Sequence, residues 1–331
     1  MMTQPTVSDV HVNAMLTTLS VAYRQDQSRF VADRIFPVVP VSKQSDRYFV
    51  YNRGDFNRDD MQLRAPGTES AGSGYSLDNT PSYFCDEWAL HKDVPDQVIA
   101  NADAVINPLR DAAEFLTLKA LIRREKAFVA KYFAGSIWTS DFDGVASANS
   151  WAGGSVLQWN DANSTPIEDI RKAQTTVLER TGFMPNVLAL GKPVYDALID
   201  HPDLVDRIKY GQTPGSPAIV NRQALAALFE VDRVEILSAI ENTANEGAAA
   251  THSFIGGKKA LLVYSAPNPG LMTPSGGYTF EWTGMYGSMA GQRINSFRMD
   301  FLKATRVEIE SCFDQRLVSA DLGFFFDSVT A

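Results

Sequence analysis

The sequence is poor in the side chains that form disulfides and bind metals. Cys85 and Cys312 are the only cysteines in 331 residues, and they are far apart in the chain. They supply neither a disulfide framework nor a metal-binding spacing, so we expect two reduced, buried thiols. Four histidines are scattered with no ligand spacing among them: His11, His91, His201 and His252.

Long hydrophobic runs and excess positive charge are also missing. No run approaches the roughly 18 apolar residues of a membrane-spanning helix, and the N-terminus shows no secretory signal pattern, so we expect no membrane partner. The 30 lysines and arginines are outnumbered by 39 acidic residues, which gives a formal net charge of −9. Proteins that grip nucleic acid neutralise phosphates with basic side chains, so tight DNA binding is not expected.

The short motifs of common catalytic sites are absent. GSMAG at 287–291 has its serine in the wrong place for a nucleophile elbow, and GGKK at 256–259 lacks the rest of a phosphate loop. SDFDG at 140–144 lacks the glutamate that a calcium loop needs at its twelfth position. The acidic residues of DHPDLVD at 200–206 are typical of helix capping. We expect no catalytic, cofactor-binding or metal-binding residues, although catalytic groups can also come from distant positions.

Among the elements that are present, a long helix over 107–133 is the clearest. Asn107 can cap it, and Pro108 suits its first position. At 1.5 Å per residue such a helix is about 40 Å long. Its apolar positions form a stripe that can lie along a sheet: Leu109, Ala112, Ala113, Leu116 and Ala120.

Strands and helices alternate between about 180 and 295, which predicts a compact α/β unit. The helix that leads into this unit is predicted to begin with a capping box of Thr165 and Glu168 and to end at Gly182. Strand-like runs dominate the last forty residues. In TRVEIES, Val307 and Ile309 face one side of a predicted strand, and the charged residues between and beside them face the other.

The segment RAPGTESAGSGYSLDNTPSY, residues 64–83, lies between two strand-like runs, at 47–51 and 83–90. Tyr75 and Leu77 are its only sizeable apolar side chains before Tyr83, so it cannot build a core of its own. A polar two-stranded ribbon is marginally stable at best when isolated. The composition therefore predicts a long hairpin without a core of its own, which either lies across another molecule or folds back on its own chain.

In order and wording, these pieces resemble the major capsid proteins of tailed bacteriophages. FVADRIFPVVPVSKQSDRYFVYNRGDFNRD at 30–59 resembles the stretch that opens the family's extended loop. PNVLALGKPVYDALIDHPDLVDRIKYG at 185–211 resembles part of its axial domain. The similarity covers about residues 30 to 330, and it rests on these two long matches in the right order.

The resemblance implies an α+β fold of the tailed-phage capsid type. Its parts are an N-terminal arm, an extended β-hairpin loop, a peripheral domain with a long spine helix and long strands, and an inserted α/β axial domain. The expected boundaries are 1–42 for the arm, 43–95 for the loop, 96–181 for the peripheral domain including spine helix 107–133, 182–295 for the axial domain, and 296–331 for the remaining peripheral strands.

The resemblance also implies a structural protein, not an enzyme, found in the virion and assembled in the host cytoplasm. Its main partner would be itself, in hexamers and pentamers of an icosahedral shell around double-stranded DNA. The start of the chain, almost directly with the arm, implies a separate scaffolding protein or none. A portal and a cement protein are further expected partners. No lysine lies between Lys43 and Lys92, so we predict no covalent cross-link through the loop.

Eight residues of the loop are the candidates for contacts between subunits. They are a charged patch and two aromatic anchors: Arg53, Asp55, Arg58, Asp59, Asp60 and Arg64, with Phe84 and Trp88. Solvated charges and ordinary core aromatics are the alternatives, since a surface ion pair contributes only about 0–1 kcal/mol. Two other functions stay open: another phage structural protein, such as a tail or decoration subunit, and an α/β hydrolase-like enzyme built on 182–295.

Overall fold

The computed structural model describes residues 25–102, 106–147, 150–210, 221–270, 273–284 and 292–331. His11, the GSMAG string and the first part of the predicted arm lie outside the described residues. The described helices are α1 (Ala32–Ile35), α2 (Arg53–Phe56), α3 (Asp96–Asn101), α4 (Pro108–Tyr132), α5 (Pro166–Thr181), α6 (Lys192–Ile199), α7 (Pro202–Tyr210) and α8 (Arg222–Leu228).

Strands make up most of the remaining regular structure. They are β1 (Val38–Val41), β2 (Ser45–Arg47), β3 (Val50–Tyr51), β4 (Leu77–Asp78), β5 (Ser82–Phe84), β6 (Asp86–Pro95), β7 (Ser140–Val145), β8 (Ser155–Leu157), β9 (Val187–Gly191), β10 (Arg233–Leu237), β11 (Ile240–Asn242), β12 (His252–Phe254), β13 (Ala260–Val263), β14 (Gly277–Trp282), β15 (Gln292–Met299), β16 (Ala304–Leu317) and β17 (Gly323–Asp327).

Strand β16 is the centre of a five-stranded sheet. On one side it pairs antiparallel with β6 over ten positions, from Ala304 opposite Pro95 to Phe313 opposite Asp86. On its other side, its first part pairs with β15 and its last part with β14, both antiparallel. Strand β1 extends the sheet by pairing parallel to β14. The sheet therefore gathers strands from three distant parts of the sequence.

Helix α4 lies along one face of this sheet, as its apolar stripe predicts. Ala112 and Leu116 are fully buried against Val94, Val307 and Ile309. The side chain of Asn107 accepts a hydrogen bond from the Arg110 N–H at 3.2 Å, so the predicted cap is confirmed. The amphipathic pattern of β16 is also confirmed, because Val307 and Ile309 are 3% exposed and face the helix.

The other face of the sheet holds a smaller core where the predicted loop begins. Cys85 and Cys312 are both buried and free there, as the sequence predicts, and burial raises their thiol pKa values to about 12 and about 11. The ring of Tyr83 stacks on that of Phe280 with 4.5 Å between the ring centres. This core fixes the root of the loop on the side of the sheet that faces away from α4.

A six-stranded sheet, in the order β10-β9-β13-β17-β7-β8, forms the second layer. The two sheets draw their strands from alternating parts of the chain. Strand β17, predicted with the peripheral strands, lies at the centre of the sheet between β13 and β7, whereas β14, predicted with the axial unit, joins the five-stranded sheet. The sequence GFFFD fits a strand that is covered on both faces, because three consecutive phenylalanines point alternately to the two sides of the sheet.

Helix α5 packs on this second sheet through Ile167, Ile170 and Val177. It ends where predicted, at Gly182, whose φ of +78° is a conformation that favours glycine. The predicted capping box is wrong in one respect, since the Thr165 side chain makes no capping hydrogen bond. With φ −124° and ψ 64°, Thr165 departs from the extended backbone that N-cap residues adopt.

Candidate assembly surface

The segment between Ser45 and Phe84 is a two-stranded hairpin, as the sequence predicts. Strand β2 pairs with β5, and β3 pairs with β4, with Tyr51 opposite Leu77 at the outer end of the ladder. Backbone hydrogen bonds from Tyr48 to Pro81 and from Asn52 to Ser76 continue the pairing between these short strands. Beyond helix α2, residues 57–76 contain no helix or strand, and we call them the hairpin tip.

The tip has almost no cover from its own chain. Every side chain between 61 and 80 is exposed, and Met61 and Leu63 reach 93% and 104% exposure. Further along the hairpin, other large apolar side chains are about half exposed: Phe49, Phe56, Tyr75, Leu77 and Phe84. Single exposed apolar residues are ordinary in soluble proteins, whereas a series along one projection marks an interaction surface.

Three aromatic rings give the hairpin some internal order that the sequence reading missed. Tyr51, Phe56 and Tyr75 form a mutual cluster, with 5.7 to 5.9 Å between ring centres. The hairpin register explains the cluster: with Tyr51 opposite Leu77, Tyr75 lies close by, and Phe56 returns on α2. The three aromatic residues are visible in the sequence, but their proximity can be inferred only when the register of the hairpin is known.

Most of the predicted charged contact residues interact within the hairpin. The Asp55 carboxylate accepts hydrogen bonds from the Ser76 N–H at 2.8 Å and the Ser76 hydroxyl at 2.7 Å, and these bonds lower the pKa of Asp55. Asp59 accepts from the Met61 N–H, Asp60 accepts from the Ser73 hydroxyl, and Arg64 donates to the Thr68 carbonyl. Arg58 lies near Asp55 and weakly favours its charged form.

Arg53 instead ties the hairpin to the body of its own chain. Its guanidinium lies 2.8 Å from the carboxylate of Asp321, which also accepts a hydrogen bond from the Thr139 hydroxyl at 2.8 Å. Arg180 approaches the same carboxylate at 3.4 Å. In the single chain Arg53 therefore has an internal partner, and the role between subunits predicted for the six charged residues stays a prediction.

The two predicted aromatic anchors are partly exposed but lie in different places. Phe84, on β5, is 48% exposed, and its N–H donates to the Asp314 carboxylate at 3.0 Å. Trp88, on β6, is 39% exposed, and the Arg123 guanidinium covers its ring at 3.7 Å. The second half of the predicted loop, 86–95, is a strand of the five-stranded sheet, so Trp88 already has neighbours within its own chain.

A serine and a buried histidine lie close together, as in a catalytic dyad, but their hydrogen bonds run in a different direction. His201 Nε2 lies 3.0 Å from the Ser164 hydroxyl and 3.2 Å from the Asp161 carbonyl. The Asp203 N–H donates to His201 Nδ1, so the ring proton is on Nε2, and the histidine donates towards the serine. A general base must accept the serine proton, so this pair positions the start of α7 and does not activate a nucleophile.

Within the described ranges, no three His, Cys, Asp or Glu side chains come together in a way that could hold a metal ion. None of the helices in this part of the chain combines the length and apolar character of a membrane span. The exposed apolar side chains of the hairpin call for a functional explanation of their own.

Comparison with known proteins gives that feature a context. The family model of phage major capsid protein E matches residues 136–275. The major capsid protein of Pseudomonas phage JBD67 is 28% identical over 327 residues, which covers 97% of both chains. A solved phage-related protein from Bordetella bronchiseptica has a TM-score of 0.68 at 21% identity, with 96% of this chain and 97% of that chain covered. The capsid of cyanophage P-SCSP1u has a TM-score of 0.60 at 11% identity, with 98% and 94% covered.

These matches confirm the predicted α+β fold and the resemblance stated from the sequence. The structural likeness extends over both sheets, α4 and the hairpin, because nearly the whole chain is covered. The sequence likeness extends as far, through a relative that is itself a major capsid protein. The chain is therefore similar to phage major capsid proteins over nearly its whole length, and to phage major capsid protein E over residues 136–275.

Proposed function

We propose that copies of this chain assemble into hexamers and pentamers that close an icosahedral phage head around double-stranded DNA, and that the chain catalyses no reaction. The similarity to phage major capsid proteins supports a shell subunit. The observation that carries the mode of assembly is the hairpin, whose tip exposes Met61 and Leu63 almost completely and makes its few bonds to itself.

A neighbouring subunit gives those side chains the apolar cover that their own chain does not. Burying one such side chain contributes about 1.5–3 kcal/mol relative to leaving it in water. Each strand region of the hairpin, at about 3.3 Å per residue, is long enough to reach beyond its own subunit. When each copy gives its hairpin to the next and receives one from the copy before, the contact is head-to-tail, and a ring results if the rotation closes.

Other partners follow from a shell of this kind. We propose a separate scaffolding protein during assembly in the host cytoplasm, a portal at one vertex, and a cement protein as a further source of stability. The DNA inside would lie close to the shell without tight binding, because the chain carries a formal net charge of −9. The division into arm, extended loop, peripheral domain and axial domain is part of the same proposal.

Electron microscopy of the expressed chain, with and without a candidate scaffolding protein, tests the function. We expect closed shells tens of nanometres across from the unaltered chain. A variant in which a short Gly-Ser turn replaces 57–76 is expected to fold but not to form shells. As a control, the same replacement of 245–250, an exposed segment between β11 and β12, should leave assembly unchanged. Shells formed normally without the tip would contradict the proposal.

A further inference from the structure

The two halves of helix α4 lie on the five-stranded sheet in different ways. In the first half, Ala112 and Leu116 pack into an apolar cluster with the strands. In the second half, the sheet residues that face the helix are polar, and Thr279, Glu281 and Gln315 are 0%, 6% and 3% exposed. A buried polar group costs free energy unless it finds a hydrogen-bond partner, so this half of the interface needs a full account of its partners.

Several buried polar atoms of this half have no hydrogen-bond partner among the described residues. Eight side-chain atoms in that part of the chain are buried and unpartnered, and four of them lie between α4 and the sheet: Arg124 Nη2, Tyr132 OH, Thr279 Oγ1 and Gln315 Oε1. In folded proteins the large majority of buried side-chain polar atoms bond to protein or to ordered water. Such a concentration at one interface therefore calls for a shared explanation.

Strand register brings three of these atoms together, because Thr279 lies directly opposite Gln315 on the face of the sheet towards α4. The Gln315 amide N–H donates to the Arg124 carbonyl at 3.4 Å, so this side chain reaches the helix at the turn of Arg124. The Arg124 guanidinium pairs with Glu281, which follows Thr279 on the same face of β14. It also lies 5.2 Å from the ring of Phe313, which precedes Gln315 on the same face of β16. The guanidinium is therefore next to the pair of Thr279 and Gln315.

The three atoms have complementary roles in hydrogen bonding. Arg124 Nη2 only donates, Gln315 Oε1 only accepts, and the Thr279 hydroxyl does either. A water molecule can accept from the arginine, donate to the glutamine and make a third bond with the threonine, and about three bonds are typical of buried water. The charge of Arg124 is already balanced by the carboxylates of Asp33 and Glu281, so the site favours a neutral ligand over an ion.

The fourth atom, the hydroxyl of Tyr132, has different surroundings. The hydroxyl and the ring edge of Tyr132 lie 3.0 and 3.1 Å from the position that a Cβ on Gly277 would take. The carbonyl oxygen of Arg316 lies 3.1 Å from the same position. Protein atoms fill the space at this glycine, so we place no water beside the Tyr132 hydroxyl.

We propose that an ordered water molecule is bound between α4 and the five-stranded sheet, where it accepts from Arg124 Nη2, donates to Gln315 Oε1 and bonds to the Thr279 hydroxyl. The water holds the second half of α4 on the sheet, in the place that apolar contacts take in the first half. It is part of the folded chain itself, so the inference does not depend on how copies of the chain assemble.

High-resolution structures of the full chain and of three variants test the site. In the unaltered chain we expect a density peak at about 2.7–3.2 Å from each of the three atoms. Thr279→Val keeps the shape of the side chain without its hydroxyl and should lose the peak, whereas Thr279→Ser keeps the hydroxyl and should retain it. Tyr132→Phe is the matched control, because it removes a buried hydroxyl from the same interface and should retain the peak.

Thermal unfolding gives a second measurement that does not depend on density. If the water is bound, Thr279→Val breaks a hydrogen bond, and the melting temperature should fall by about 1–4 °C. Without the water, the same change removes an unsatisfied hydroxyl, and the melting temperature should stay or rise.

The inference is overturned by no peak in the unaltered chain, by a peak that persists in Thr279→Val, or by a Thr279→Val melting temperature that equals or exceeds that of the unaltered chain. An equal fall for Tyr132→Phe would overturn it as well, because loss of any hydroxyl at this interface would then destabilise the chain.

Discussion

The carboxyl group of Glu125 is buried on α4 and clamps the chain just before the first strand. Its two oxygens accept hydrogen bonds from the backbone N–H of Val31 at 3.0 and 3.3 Å, and one of them accepts from Ala32 at 3.0 Å. The residue is 1% exposed. Burial raises its pKa to about 7, against the opposing effect of these hydrogen bonds, with smaller contributions from Asp33 and Arg34.

The direction of the pH dependence follows from that raised pKa. Between the unfolded value near 4.5 and the folded value near 7, the folded chain binds the proton more tightly. The stabilisation from this group is therefore complete below about pH 4.5, falls as the pH rises, and is lost above about pH 7. A pKa difference of about 2.5 corresponds to about 3 kcal/mol in the free energy of unfolding.

Glu125→Gln removes this dependence, because an amide is neutral at every pH and its oxygen can still accept from both N–H groups. We expect the variant to be more stable than the unaltered chain by about 1–3 kcal/mol at pH 8. At pH 4.5 it should be equal or less stable by about 1 kcal/mol, since one acceptor is lost. Urea unfolding at both pH values measures the difference, and hydrogen exchange at Val31 and Ala32 reports the clamp directly.

Glu179→Gln, at an exposed position on α5, is the matched control and should change stability little at either pH. A Glu125→Gln variant that is less stable than the unaltered chain at pH 8 would refute the reasoning. That result would mean that the charged carboxylate gains more from its hydrogen bonds than it loses by burial.

Three further predictions concern the core and the loop. Arg124→Met should destabilise the chain by about 3–5 kcal/mol in urea unfolding, because the carboxylate of Glu281, 6% exposed, loses its buried partner. Adding Glu281→Gln should recover part of the lost stability. If no stability is recovered, the loss comes from packing and not from the unpaired charge. Phe325→Ala should lower the free energy of unfolding by about 3–5 kcal/mol, because the Phe325 side chain is fully buried in the core. A loss under about 1 kcal/mol would be inconsistent with a central β17. Assembled shells should dissociate into single chains in hot detergent, because no lysine lies between Lys43 and Lys92; a ladder of cross-linked chains on the gel would contradict this.

The parts of the fold that follow from local signals could be predicted from the sequence. Helix α4 has a cap, a proline and an apolar stripe, and β16 alternates half-buried and buried residues over the six positions 306–311. The order of strands could not be predicted in the same way. A short apolar run such as Gly323–Asp327 shows that a strand is buried on both faces, but it carries no information about which strands lie beside it.

The candidate surface shows the same limit. The hairpin follows from the polar composition of 64–83, and its exposed residues follow with it. The partner of Arg53 is 268 residues away at Asp321, and the cluster of Tyr51, Phe56 and Tyr75 depends on register. The contacts of Lys92 with Phe115 and of Arg123 with Trp88 join β6 to α4 through side chains that neither element's own pattern singles out. Contacts of this kind depend on the tertiary fold, so sequence spacing does not reveal them.

The position of β17 sets the order in which the chain can mature on the ribosome. The strands on either side of it, β13 and β7, cannot close their sheet until residues 323–327 have been synthesised and have emerged. Before that point the layer has a gap between β13 and β7, and the facing edges of these two strands lack their hydrogen-bond partners.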